Sequence, residues 1–314
     1  MALDAPTLKL LEQRAASAVP PLWEMTPAQA RQLQSNARQL PKRQRPMHEI
    51  HDHRIAASLD GNFRLRVFQP TPHPTGVFVY YHGGGWVLGD LEQFDTLARA
   101  IADETNCTVV LPEYRLAPEF PFPTAVEDAW DALTWTVRHL PQLANTPSSL
   151  YIAGDSAGGT LATVIAHRSH ERMLYPITRQ FLLYPATSAD FSYPSYHEPA
   201  NQTLLPWQAM KWFWDHYLPE VGQRCHPDAS PMHIDRLEQS PPATIITAAH
   251  DILRDEGNAY AAKLQAAGVE VSHQVWPGQM HGFSNFVDVL PASGEVLALI
   301  ARQIAPHAVL KHTH

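Results

Sequence analysis

Two short stretches carry residue types and spacings that could do covalent chemistry. Gly154-Asp155-Ser156-Ala157-Gly158 follows the apolar run Leu150 to Ala153 and leads into small residues that read as a helix. Glycines two positions either side of a serine fit a turn so sharp that larger side chains would collide. Such a turn lifts the hydroxyl above the sheet, at the positive end of the following helix, where a nucleophile belongs. The bland alternative is a tight structural turn that happens to contain a serine. His82-Gly83-Gly84-Gly85-Trp86 follows another apolar run, Gly76 to Tyr81. Three glycines let the backbone approach a ligand and turn its N–H groups toward it. No Gly-Lys-Ser/Thr follows, so a nucleotide phosphate loop is not expected. Each motif comes directly after a strand, and together they point to a serine nucleophile served by backbone donors.

The elements that must hold these residues alternate. Phe63, Leu65 and Val67 interleave with polar neighbours, a half-buried strand. Apolar runs at 76–81, 107–111, 150–153, 180–184, 244–248 and 269–275 predict buried strands. Helical spacing predicts helices over 91–105, 125–140, 256–267 and 294–304, the third ended by Gly268. This rhythm predicts an α/β fold with a mostly parallel sheet flanked by helices. Two segments stand outside it. Residues 1–45 read as helical, with Thr26 capping a helix at Pro27 that continues through Leu33, Ala37 and Leu40 and stops at Pro41. Residues 187–220 are first polar and Pro-containing, then helical over 206–217.

Composition removes several function classes. The chain has 314 residues, a net charge of -8 and no basic block, so a nucleic-acid partner is not expected. Cys107 and Cys225 are its two cysteines, which excludes a disulfide scaffold and a cysteine zinc site. His51, Asp52 and His53 have no further ligand cluster nearby, so no metal is expected. No apolar run is long enough for a membrane span, and Met1 to Leu11 does not read as a signal peptide. The default expectation is a soluble, cytoplasmic protein.

The motifs resemble the hormone-sensitive lipase family of α/β-hydrolases, in the subgroup carrying GDSAGG. The resemblance spans HGGGW at 82–86, YRLAPE at 114–119, GDSAGG at 154–159, HDILRDEG at 250–257 and PGQMHGF at 277–283. Gln279 stands where methionine is common, and Glu113 where aspartate is. The resemblance implies an esterase with a Ser-Asp-His triad under a helical cap. The cap corresponds to 1–45 and 187–220, and the catalytic domain to 46–186 and 221–314.

In this fold the acid and the base follow the serine in that order. Asp251 comes just after the strand at 244–248; its alternative reading is a helix N-cap. Asp255 and Glu256 fall inside the coming helix. Among 18 histidines, His281 is the one that follows the last strand, after a Pro-Gly turn. The expected catalytic set is therefore Ser156, Asp251 and His281. The expected oxyanion donors are the N–H groups of Gly83, Gly84 and Ala157. His82 is expected to anchor the glycine loop. Asp155 could orient the turn or simply be solvated. Trp86, Tyr184, Trp207 and Phe283 are the expected substrate-binding residues. A compact aromatic pocket would favour short- to medium-chain acyl esters, a small-molecule substrate, with no cofactor. An amide or N-acetyl hydrolase would use the same triad. A non-catalytic binding protein, like the plant gibberellin receptors that resemble this family, would lack the catalytic histidine. A homodimer is an expectation by family analogy.

Overall fold

The computed structural model describes residues 2–17, 19–37, 44–145 and 149–309, with side chains described to residue 304. In chain order the elements are α1 (Ala5–Ala15), α2 (Pro27–Ala37), β1 (Glu49–Ala56), β2 (Asn62–Gln69), β3 (Gly76–Tyr81), α3 (Leu91–Thr105) and β4 (Thr108–Glu113). They continue with α4 (Thr124–Leu143), β5 (Ser149–Asp155), α5 (Ala157–Glu171), β6 (Arg179–Leu183), α6 (Trp207–Tyr217), β7 (Ala243–His250), α7 (Arg254–Ala266), β8 (Val271–Met280) and α8 (Pro291–Val309). The eight strands lie in the order β1-β2-β4-β3-β5-β6-β7-β8. The pairs β1–β2 and β2–β4 are antiparallel and the other five are parallel. The α/β sheet expected from the sequence is present.

The continuous apolar strands are explained by helices on both faces. Val77, Val79 and Tyr81 of β3 face one way, into the core built with α4, α5 and α7. Phe78 and Tyr80 face the other way, into the core built with α3 and α8. This is the two-residue period of a strand with no solvent side. The outermost strand β1 differs. Glu49, His51, Asp52 and Arg54 are exposed on it.

Local signals fix several element ends. Thr26 and Gln29 cap α2 reciprocally, the Gln29 N–H donating to Thr26 Oγ1 at 3.3 Å and the Thr26 N–H to Gln29 Oε1 at 2.9 Å. The expected stop at Leu40 and Pro41 lies outside the described residues. Asp90 caps α3, and Asn106 ends it in the left-handed region. The last strand departs from expectation. Pro277 and Gly278 are not a turn after it but part of it, and β8 runs on to Met280. A positive φ at Gly278, and a register shift between Ala248 and His250, let the strand bend and still pair.

Between β6 and β7 the chain leaves the sheet for residues 184–242, and α6 is the longest helix there. Trp86 stacks on Tyr217 of α6 at 4.2 Å and packs against Trp214 at 4.9 Å. The Trp212 indole donates to the Met25 carbonyl, joining α6 to the N-terminal segment. Among the described residues no helix is long and apolar enough to cross a membrane.

Candidate active site

Ser156 sits between β5 and α5 with φ 53° and ψ -120°. A non-glycine residue holds this conformation only when its surroundings force it. Here they do. A Cβ on Gly158 would run into the Tyr81 carbonyl, and one on Gly154 into the Gly158 carbonyl. The sequence reading of a sharp turn is correct, and the cause is close backbone packing against β3.

The turn aims the serine at His281. Ser156 Oγ lies 2.9 Å from His281 Nε2, and His281 Nδ1 lies 2.7 Å from Asp251 Oδ2. Asp251 is fully buried, while Ser156 and His281 each keep 8% exposure, so a substrate can touch them. A carboxylate only accepts, so Nδ1 carries the proton and Nε2 is left as an acceptor for the serine hydroxyl. Asp251 also accepts the Leu253 N–H through Oδ1 at 2.9 Å. Asp251 is not the N-cap of α7, a position held by Leu253; its Oδ1 holds the turn before the helix while its Oδ2 faces His281. The Tyr184 ring meets the His281 ring edge-on at 4.9 Å, and the Tyr184 hydroxyl lies 2.5 Å from Ser284 Oγ.

The donors around Ser156 differ from expectation at one position. The Gly83 N–H donates to Asp155 Oδ1 at 2.8 Å, so it is committed and unavailable to an oxyanion. Among the described residues, the N–H groups of Gly84, Gly85 and Ala157 have no such partner. The open set is shifted one glycine along the loop. Gly85 was not anticipated. It has φ 60°, and a Cβ there would strike the Phe213 ring of α6.

Asp155 explains the shift. It is fully buried and accepts from Gly83 N, from the Tyr80 hydroxyl at 2.9 Å and from Asn285 Nδ2 at 2.9 Å. Burial raises its pKa, and these three donors pull the other way. One carboxylate thus binds the glycine loop, β3 and the segment after His281. His82 anchors the loop from the other side. Its Nδ1 lies 2.7 Å from the Gly83 carbonyl, and its ring stacks on Tyr114 at 4.2 Å. Complete burial pushes His82 down to about 4, which keeps the imidazole neutral. Tyr80 and Asn285 carry no sequence signal for these roles.

A cavity of about 510 Å³ opens above Ser156. Trp86 lines it, as expected. Tyr184 and Phe283 do not; both are buried behind His281, where Phe283 packs on Tyr184 and Trp276. Trp207 does not either. It begins α6 with 44% of its surface exposed, because the helix turns Met210 and Phe213 inward instead. Leu205, Met210, Phe213, Leu88, Phe94 and Leu97 contribute to the apolar wall, as do Leu22, Met25 and Leu33 of the N-terminal segment.

The chain is similar to known hydrolases over most of its length. The alpha/beta hydrolase fold family matches residues 78–285. A carboxylesterase of Mycobacterium tuberculosis, NlhH, is 42% identical over 238 residues, covering 74% of each chain. An ethyl acetate hydrolase of Pseudomonas putida is 36% identical over 230 residues, covering 73% of this chain and 72% of the other. Among solved structures, a thermostable esterase from Pseudomonas putida superposes with a TM-score of 0.92 at 32% identity, over 99% of both chains. A hyperthermophilic esterase from Pyrobaculum calidifontis superposes with a TM-score of 0.88 at 34% identity, over 98% of this chain and all of the other.

Proposed function

The chain belongs to the α/β-hydrolase fold family, among its hormone-sensitive-lipase-type carboxylesterases, and from that premise we propose that Ser156, His281 and Asp251 carry out its ester hydrolysis. Its substrates are small-molecule esters. The observation that carries the residue assignment is the unbroken relay, 2.7 Å from Asp251 to His281 and 2.9 Å from His281 to Ser156.

In this mechanism His281 Nε2 takes the hydroxyl proton as Ser156 Oγ attacks the ester carbonyl. Asp251 holds the Nδ1–H tautomer and stabilises the imidazolium that forms. The N–H groups of Gly84, Gly85 and Ala157 receive the oxyanion, and loss of one such donor typically costs about 10²–10³ in rate. His281 then protonates the leaving alcohol, and the acyl group stays on Ser156. Water, deprotonated by His281, attacks the acyl-enzyme and releases the acid.

Residues 1–45 and 187–220 act as a cap over the body formed by 46–186 and 221–314. In support, the cavity draws walls from both sets of segments. Its size and the bulk of Phe213 favour short to medium acyl chains. A cytoplasmic site is also part of this reading. Cys107 is a free thiol that burial pushes up to about 11, and Cys225 is free and exposed, which suits a reducing compartment.

The test is hydrolysis of 4-nitrophenyl esters from acetate to palmitate by wild type and Ser156→Ala. The expected result is a peak at short or medium chains and a fall of at least about 10⁴-fold in kcat for the mutant. Retained activity in Ser156→Ala would displace the nucleophile. Activity that climbs steadily to palmitate would displace the compact pocket.

A further inference from the structure

The cavity above Ser156 holds a cation that no described residue neutralises. Arg14, in the last turn of α1, lines it, with the guanidinium over the Phe286 ring at 5.6 Å. Among the described residues it has neither an ion pair nor a side-chain hydrogen bond. Its side chain is exposed, so water still reaches the guanidinium, and what burial it has lowers its pKa with no carboxylate pulling the other way. Arg31, Arg64 and Arg115 differ, since each meets a carboxylate at 2.7–2.8 Å. The acidic group in the cavity lining is Asp155, already engaged by three donors.

The placement of Arg14 is fixed by residues outside the catalytic set. The Asp4 N–H donates to the Gly278 carbonyl at 3.0 Å. Gln279 Nε2 donates to Asp4 Oδ2 at 2.5 Å, and Thr7 Oγ1 donates to Gln279 Oε1 at 3.1 Å. Thr7 and Gln279 are both buried. The strand that delivers His281 therefore also holds the start of α1, and Arg14 lies ten residues beyond Asp4, about 15 Å along the helix. A guanidinium held over an aromatic face by its charge can still offer N–H groups, in the fork that matches a carboxylate. Gln34 of α2 lines the same cavity, and its buried amide oxygen has no partner. Arg14 thus offers donors to the cavity, while the Gln34 oxygen is an acceptor that an N–H or O–H group of a ligand would meet.

We propose that Arg14 receives an anionic group on the arm of the ester that reaches the cavity mouth, so that esters bearing a carboxylate are a preferred substrate class. The proposal rests on the esterase reading above and deepens it. Arg14 is a specificity residue here and takes no part in bond making.

Matched esters test it. On the acyl arm, 4-nitrophenyl hydrogen adipate is compared with 4-nitrophenyl hexanoate. On the alcohol arm, 4-acetoxybenzoate is compared with 4-acetoxybenzamide. In at least one pair, Arg14→Gln should lower kcat/KM for the anionic ester about 10-fold, through KM, while the neutral partner stays within about twofold. Arg14→Lys should keep part of the preference, and Arg14→Glu should push it below that of Arg14→Gln. Equal changes for both members of both pairs would overturn the proposal, as would a preference that survives in Arg14→Glu. If wild type hydrolyses the neutral esters but shows no charge-dependent loss on mutation, the proposal fails and the esterase reading stands. If wild type hydrolyses neither neutral nor anionic ester, both fall.

Discussion

Asp155 holds three donors at once and has no Lys or Arg paired with it among the described residues. That makes it a positioning residue for the glycine loop, and in the proposed mechanism for the oxyanion donors that loop carries. In Asp155→Asn one oxygen can keep Gly83 and Tyr80, as Oδ1 does, but the new NH₂ group then faces the Asn285 amide N–H head-on. The expected outcome is a fall in kcat of about 10²-fold on 4-nitrophenyl butyrate, with KM changed by less than about threefold. An equal rise in KM would instead assign Asp155 to substrate binding. At this scale the sequence was most informative where geometry forces residue type. Gly154 and Gly158 are forced by contact with neighbouring backbone, and their spacing exposes Ser156. Which glycine N–H groups stay open was not legible. That depends on a carboxylate 72 residues from Gly83.

Glu256 does comparable work between elements. It lies in the first turn of α7 and is fully buried, accepting the Thr187 N–H at 2.7 Å, the Ser188 N–H at 3.2 Å and the Tyr196 hydroxyl at 2.9 Å. It therefore ties α7 to the segment that follows β6. Burial raises its pKa to about 8 against an ordinary 4.5, with Asp251 adding to the rise. The folded protein thus keeps a proton that the unfolded chain loses. The sign follows: stability from this group is full below about pH 4.5 and declines as pH rises toward 8. Glu256→Gln copies the protonated form and should flatten that decline, raising Tm at pH 8 relative to wild type and little at pH 5. A parallel drop of both proteins across this range, followed by calorimetry, would refute it. Element existence was legible for β3 to β7 because both faces are covered and the runs are uniformly apolar. The end of β8 was not, since Pro277-Gly278 carries a turn signal that pairing with β7 and the docking of α1 override.

At the scale of the molecule, the cavity depends on how the N-terminal segment meets the body. Arg31 of α2 donates to the Val87 carbonyl at 2.8 Å and the Ala117 carbonyl at 2.6 Å, and pairs with Glu119 at 2.8 Å. All three acceptors belong to the loops that follow β3 and β4. Arg31→Met keeps the apolar stem and removes the bonds to all three partners. It should raise KM several-fold for neutral short-chain esters with little change in kcat, because the triad is not touched. A loss confined to kcat would place Arg31 in the catalytic machinery instead. None of these contacts could be read from the chain, since Arg31 gives no local signal of a partner more than fifty residues away. The outer strand β1 has a wider consequence. Its free edge presents Glu49, His51, Asp52 and Arg54 to water, and Asp52 is already clamped by Arg66 at 2.6 Å. A hydrophobic strand from another chain that tried to extend the sheet there would have to strip water from these groups with nothing to replace it. The sheet thus ends at β1 by charge, which guards concentrated or partly unfolded protein against strand-by-strand aggregation from that side.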